Sequence, residues 1–325
     1  YMEITSDAFE ITPEKMDFRA YSISWNLTKR CNLNCDHCYL DADFRGGFRT
    51  DELDTIQCKK VIDQIAEVNP NAFLILTGGE PLLRPDIYEL IRYAADKKFM
   101  VVLGTNGTLI NEANAKKIKA AGAHGVGISI DSMDATKHNK FRGVTGAWEH
   151  SMEAFNILNE VGVDFLIQMS VSDMNYREIP DVVAFTEKIG AIAFNLYFLV
   201  CTGRGQGNTD ISNEAYEEAL KMLYEQQMKY KGRLMINSKC APQYKRVVYE
   251  NDPDSVYTRT YSGGCPAGTH YSRISPEGNM TPCPFIEESI GNLKTSSFKE
   301  LWDNAPLMVQ LRDRKKLEGK CGTCE

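Results

Sequence analysis

Cys31-Asn32-Leu33-Asn34-Cys35-Asp36-His37-Cys38-Tyr39 follows directly on the apolar run Tyr21 to Leu27, placing three cysteines within eight residues at the end of a candidate strand. Three thiolates so close can share one metal centre. With no fourth cysteine nearby, the inference is a cubane iron–sulfur cluster held at three irons, its fourth iron left for a ligand that is not protein. Structural zinc and scattered core thiols are the competing readings. Zinc sites usually pair one CxxC with a second CxxC or a histidine pair and close at four ligands.

Outward from that stretch, short apolar runs alternate with amphipathic segments. The candidate strands are 21–27, 72–77, 99–104, 125–130, 164–171 and 192–200, and the candidate helices are 51–68, 86–97, 112–121, 147–161, 176–189 and 213–229. Six strand–helix units imply a parallel sheet, and their number predicts an α/β fold, a partial (β/α)6 TIM barrel. In such folds ligands meet the loops at the carboxyl ends of the strands. The cysteine loop follows the first strand, at that end. Before it, residues 1–20 form a polar arm, and 21–230 make the barrel. After about residue 230 the beat breaks, and Gly263, Gly264, Pro266, Pro276, Gly278, Pro282 and Pro284 punctuate a smaller cysteine-rich module, 231–325.

The whole chain sets the class. Its 325 residues, 43% of them hydrophobic, are ample for a buried core. Net charge is −7 with both signs interspersed, which argues against nucleic acid and anionic membrane as partners. No apolar run approaches the roughly 20 residues that span a bilayer and no signal peptide opens the chain, so a cytoplasmic protein is expected. Ten cysteines without a secretory signal fit metal ligation better than disulfides. The chain opens on Tyr1 rather than methionine and stops one residue after Cys324, so trimmed ends are expected.

Further motifs stand at successive strand ends. Thr77-Gly78-Gly79-Glu80-Pro81 closes the second, where two glycines let a ligand approach the backbone and Pro81 fixes the exit. Thr105-Asn106-Gly107 closes the third and Ser129-Ile130-Asp131 the fourth; each alone also reads as a turn or a helix cap. Ser170 and Asn175 follow the fifth, and Arg142 lies in Lys140-Phe141-Arg142-Gly143. In the C-terminal module, Cys265, Gly278 and Cys283 stand as C-x12-G-x4-C, followed by the CxxC of Cys321 and Cys324. Four cysteines can close a second iron–sulfur cluster or a zinc site. Cys58 falls in a helical pattern and is assigned to the core. Cys201, just past the sixth strand, and Cys240 receive no catalytic role.

CxxxCxxC, GGEP, TNG and SID in this order resemble the radical SAM superfamily, and the distal cysteines resemble its SPASM or twitch domains. Trp25-Asn26-Leu27-Thr28-Lys29-Arg30-Cys31, Gly78 to Asp86 and Thr202-Gly203-Arg204-Gly205 look like the enzymes of heme d1 and alternative heme biosynthesis. The resemblance implies that Cys31, Cys35 and Cys38 hold a [4Fe-4S] cluster whose open iron takes S-adenosylmethionine (SAM). Cys265, Cys283, Cys321 and Cys324 would hold at least one auxiliary [4Fe-4S] cluster, with more cysteines and a second cluster if the chain continues. Gly78, Gly79 and Glu80 would meet the SAM amino group, Asn106, Ser129 and Ser170 its other polar groups, with Asp131 and Asn175 as further candidates, and Arg142 its carboxylate. The implied reaction is reductive cleavage of SAM to a 5′-deoxyadenosyl radical that takes hydrogen from substrate. An electron donor such as ferredoxin or flavodoxin would supply the electron. The substrate would be a propionate side chain of an iron-tetrapyrrole or, as in related SPASM maturases, a ribosomally made peptide. No general acid or base is assigned.

Overall fold

Most strands are buried along nearly their whole length, and two alternate buried with half-exposed residues, which marks a second, open face. The computed structural model describes residues 18–207, 211–255 and 264–323. Most of the N-terminal arm therefore lies outside the described residues. β1 (Ser22–Asn26) is followed by two short paired strands, β2 (Arg30–Cys31) and β3 (Asp43–Phe44), which pin both ends of the cysteine loop together. The barrel strands β4 (Phe73–Thr77), β5 (Met100–Thr105), β6 (Gly125–Ser129), β7 (Phe165–Val171) and β8 (Ala193–Phe198) then pair in parallel, each with the next.

All six expected strands are present, and the parallel run continues past them. β9 (Met235–Lys239) extends it beside β8. At the other side β10 (Tyr271–Ile274), from the C-terminal module, pairs in parallel with β1, and β11 (Asn279–Thr281) and β12 (Gly291–Asn292) add antiparallel strands beyond it. The C-terminal module thus continues the barrel's own sheet, in the order β12-β11-β10-β1-β4-β5-β6-β7-β8-β9.

The helices cover one face and begin where their caps dictate. α1 (Thr55–Val68) starts four residues later than the periodicity suggests, because Asp54 and Gln57 form a reciprocal capping box. α2 (Ile87–Asp96), α3 (Glu112–Ala121), α5 (Ala147–Val161), α6 (Ile179–Lys188) and α7 (Asn213–Lys229) match the expected helices to within a few residues. α4 (Ala135–Arg142), between Asp134 as N-cap and Gly143 in the left-handed conformation, and α8 (Tyr244–Asn251) are additional. Ile23, Trp25, Leu74, Leu76, Ile167 and Met169 are buried between sheet and helices.

The opposite face is a lumen. β4 reads half-exposed, buried, half-exposed along its length, and β7 alternates in the same way. Register puts Thr77, Gly104, Gly127, Gln168, Asn195 and Asn237 on this inner face, where a filled barrel would carry bulky branched side chains. Glycines and amides leave room there instead. The sheet also curls, since the Tyr271 phenol on β10 lies within electrostatic reach of Tyr197 on β8, six places away in the strand order.

Strand-end loops close tightly on one another. A Cβ on Gly79 would stand 2.3 Å from the Arg30 carbonyl oxygen, and one on Gly78, at φ +151°, would stand 2.6 Å from that of Thr28. The space on the Cβ side of these glycines is filled by residues 28–30 of the chain itself, while their backbone stays half-exposed. Gly79→Ala should therefore destabilise the fold by about 1–3 kcal/mol through overpacking against immovable backbone. Gly47→Ala, where a Cβ meets nothing within 4 Å, should leave the thermal midpoint unchanged; equal effects of the two would contradict this packing.

Candidate active site

The cysteine loop has almost no regular structure of its own, so its shape must be imposed by hydrogen bonds from elsewhere. Asn32 binds the β5 turn twice: its Nδ2 donates to Thr108 Oγ1 at 2.7 Å, and its Oδ1 accepts from Asn106 Nδ2 at 2.8 Å. The Asn34 and Asp36 N–H groups donate to the Arg142 and Phe141 carbonyls at the end of α4. From the far side comes Arg204, whose backbone N–H donates to the Cys38 carbonyl at 3.1 Å. Its side chain donates to the Cys35 carbonyl at 3.1 Å, the Ala42 carbonyl at 2.8 Å and Asp41 Oδ1 at 3.0 Å. Gly203 lets this clamp close, because a Cβ there, at φ +56°, would stand 2.5 Å from the Cys38 oxygen.

Each sulfur of the loop also accepts an N–H. Leu33 N–H donates to Cys31 Sγ and Ala42 N–H to Cys38 Sγ, both at 3.4 Å, and Arg142 Nη1 donates to Cys35 Sγ at 3.7 Å. Burial pushes the Cys31 thiol up to about 12, and the neighbouring Cys35 and Cys38 sulfurs add to the rise. Burial also raises Cys35, against the opposing pull of Arg142. Three mutually repelling thiolates need a cation among them. Among the described residues no three His, Cys, Asp or Glu side chains close to the spacing of a single metal ion. A tetrahedral ion about 2.3 Å from each sulfur would draw them tighter. The donor set, with an N–H on every sulfur, fits an iron–sulfur cluster, whose potential such hydrogen bonds tune.

The expected SAM contacts divide into two groups. Glu80 is fully buried, and its carboxylate accepts from Thr105 Oγ1 at 2.8 and 2.9 Å, the Asn106 N–H at 2.9 Å and the Leu82 N–H at 3.0 Å. Burial pushes it up to about 7. It is a strut joining β4 to β5, enclosed by protein rather than presented to an amine. Asn106, with its amide spent on Asn32 and its Oδ1 accepting from Thr108, extends that strut to the cysteine loop. Arg142 likewise departs from expectation: its Nε donates to Asp131 Oδ2 at 2.6 Å in a buried ion pair while Nη1 reaches Cys35 Sγ. Asp131 Oδ1 in turn accepts the Ser170 N–H at 2.9 Å, and Asn175 Nδ2 donates to the carbonyls of Asp131 and Ser170, both at 2.8 Å. By contrast Ser129 and Ser170 are half-exposed at the lumen on adjacent strands, two residues out of register, since Ser129 pairs with Gln168. Gly78 and Gly79 are half-exposed as well.

The distal cysteines gather on the other side of the lumen. Cys283 is half-buried and accepts the N–H groups of Phe285 and Ile286, with Cys265 near enough to raise it. Cys240, given no role from the sequence, ends β9 within electrostatic reach of both. A single cysteine has no spacing to read, and only its place at a strand end hints at the site. The Cys321 side chain and all of Cys324 lie outside the described residues. Cys58 is a core thiol, donating to the Leu53 carbonyl at 3.7 Å and raised to about 12 by burial. Between the two cysteine sets runs a polar bridge: Arg273 Nε donates to Asn26 Oδ1 at 2.6 Å, Asn26 Nδ2 donates to the Tyr39 hydroxyl at 2.8 Å, and the Tyr39 ring meets Phe285 edge-on at 5.6 Å.

The comparisons agree with this geometry. Residues 25–186 match the radical SAM superfamily and 265–325 the SPASM iron–sulfur cluster-binding domain. Over 93% of its length the chain is 38% identical to an AdoMet-dependent heme synthase of Methanosarcina barkeri, of which it covers 88%. Over the same share it is 29% identical to the antilisterial bacteriocin subtilosin biosynthesis protein AlbA of Bacillus subtilis, covering 66% of it. Among solved structures, Streptococcus suis SuiB bound to S-adenosylmethionine has the same fold, with a TM-score of 0.75 at 17% identity over 94% of this chain and 71% of that one.

The buried ion pair yields a test. Asp131→Asn leaves Arg142 an uncompensated buried cation, and removing one partner of such a pair costs about 3–5 kcal/mol. A thermal or urea midpoint that hardly moves would contradict the arrangement.

Proposed function

This chain belongs to the radical SAM superfamily and carries a SPASM iron–sulfur domain, and from that premise we propose that its substrate is an iron-tetrapyrrole modified at a propionate side chain. The observation that carries the reading is the 38% identity to a heme synthase, sustained over 93% of the chain. The relative that makes a bacteriocin stands at 29% over the same share. A peptide substrate is the second reading, favoured by that likeness.

In this assignment Cys31, Cys35 and Cys38 hold the SAM-binding [4Fe-4S] cluster. Cys265 and Cys283, with Cys321 and Cys324, hold at least one auxiliary cluster. When loaded, the first centre cleaves SAM reductively and supplies the 5′-deoxyadenosyl radical that takes hydrogen from substrate; the difficult step belongs to the cofactor. The protein's residues position. Arg142 and the Leu33 and Ala42 N–H groups stabilise the three thiolates, and Arg204 holds the loop that carries them. Glu80 and Asn106 fix the rim, while Ser129, Ser170 and the Gly78–Gly79 backbone offer polar groups to SAM. The lumen between the two cysteine sets receives the substrate. No described helix is long and apolar enough to cross a membrane. A cytoplasmic setting, with a ferredoxin or flavodoxin as donor, completes the reading.

Anaerobically reconstituted protein given SAM and dithionite should release 5′-deoxyadenosine, and an iron porphyrin bearing propionates should emerge with altered side chains. Product from a short precursor peptide and none from the porphyrin would favour the second reading. Cys35→Ala should abolish release of 5′-deoxyadenosine while the absorption of the C-terminal centre persists. Loss of both chromophores together would argue against separate sites.

A further inference from the structure

Two cations stand on the inner face of the sheet, and among the described residues neither is paired with a carboxylate. Lys239 is the last residue of β9, at the carboxyl end of the parallel strands where the cysteine loop also lies. Its register partner on β8 is Tyr197, so it shares the inner face with Tyr197 and, one strand further, Ser170. The Lys239 side chain is exposed, and nearby protein draws its ammonium somewhat below the usual lysine range. Among the described residues no carboxylate pairs with it, and the one charged neighbour that acts on it is the thiol of Cys240.

Arg273 stands on β10, opposite Ser24 of β1 and two residues beyond Tyr271 on the same strand face. Its Nε donates to Asn26 Oδ1, a neutral acceptor, and no ion pair among the described residues involves it. Tyr271 and Tyr197 come within electrostatic reach as the sheet curls. Arg273 sits on the strand of the first and Lys239 beside the second. Three carboxylates at the strand ends are already used: Asp131 by Arg142, Glu80 by four hydrogen-bond donations, and Glu52 by Thr28 Oγ1 and the Lys29 N–H. Cations placed on that inner face with no carboxylate paired to them are positioned to take one from a ligand.

We propose that Lys239 and Arg273 anchor carboxylates of an anionic substrate across the lumen, holding it between the two cysteine sets. This deepens, and rests on, the tetrapyrrole reading, because a porphyrin carrying several propionates around a flat ring has carboxylates to offer both cations at once. Tyr197 and Tyr271 supply aromatic wall between them. Lys239 is here a positioning residue for the group to be modified, not one that touches the reacting atoms.

The test compares two probes in the full-length, anaerobically reconstituted chain: an iron porphyrin tetrapropionic acid and its neutral tetramethyl ester, each titrated by its Soret absorption. Wild type should bind the acid more tightly than the ester. Lys239→Met should weaken the acid at least about ten-fold, the weight of one charge-assisted hydrogen bond, and leave the ester unchanged, while Lys239→Arg should keep the preference for the acid. Loss of acid and ester affinity together would mean a structural role and overturn the proposal. So would a Lys239→Met chain that binds the acid as wild type does, or a wild type indifferent to esterification. In all three of those outcomes the tetrapyrrole reading survives, whereas a wild type that binds neither porphyrin overturns both.

Discussion

Everything at the site depends on one constraint: a loop with three cysteines and no internal scaffold must be held in a single shape. It is met from three directions: at the Asn32 side chain by Asn106 and Thr108 after β5, and at its backbone by the end of α4 and by Arg204 after β8. Each direction is a strand end or the helix that follows one. The barrel thus presents the loop by convergence, with several strand termini contributing one or two hydrogen bonds each, and charge-assisted bonds such as those of Arg204 among the stronger.

That convergence changes what the motifs mean. Gly78, Gly79 and Glu80 resemble a ligand-contact motif, yet the glycines pack on residues 28–30 and the glutamate is enclosed. Arg84, in the run that looks like the heme-pathway enzymes, spends its guanidinium on Asp86 and on the carbonyls of Leu27 and Leu53. Arg204, in a second such run, clamps the cysteine loop. These motifs report how the centre is built. In the proposed reading the substrate meets the lumen face of β8, β9 and β10, which none of them covers.

The same distinction explains what could be read from the chain beforehand. The strand–helix beat was legible because apolar period and caps agree locally, as with Gly122 and Gly162 closing α3 and α5. β9 was not, since only Ile236 of Met235-Ile-Asn-Ser-Lys239 is buried and its inner face is polar. The cysteine set was legible from spacing. The partners of Glu80, Arg142 and Arg204 were not, because partners 11 residues away for Arg142 with Asp131, 25 for Glu80 with Thr105 and 169 for Arg204 with Cys35 follow from topology rather than from any local pattern. Cys240 and Lys239 belong to the same class: single residues whose meaning comes only from ending the strand beside β8.

The central claim is that Cys31, Cys35 and Cys38 bind three irons of a cubane and leave the fourth to SAM. Mössbauer spectra of the 57Fe-reconstituted full chain, recorded with and without SAM, address it most directly. The account predicts that one iron site of one cluster changes its isomer shift on adding SAM while the remaining irons stay as they were. Spectra identical with and without SAM, or a metal content of zinc in place of iron, would contradict it.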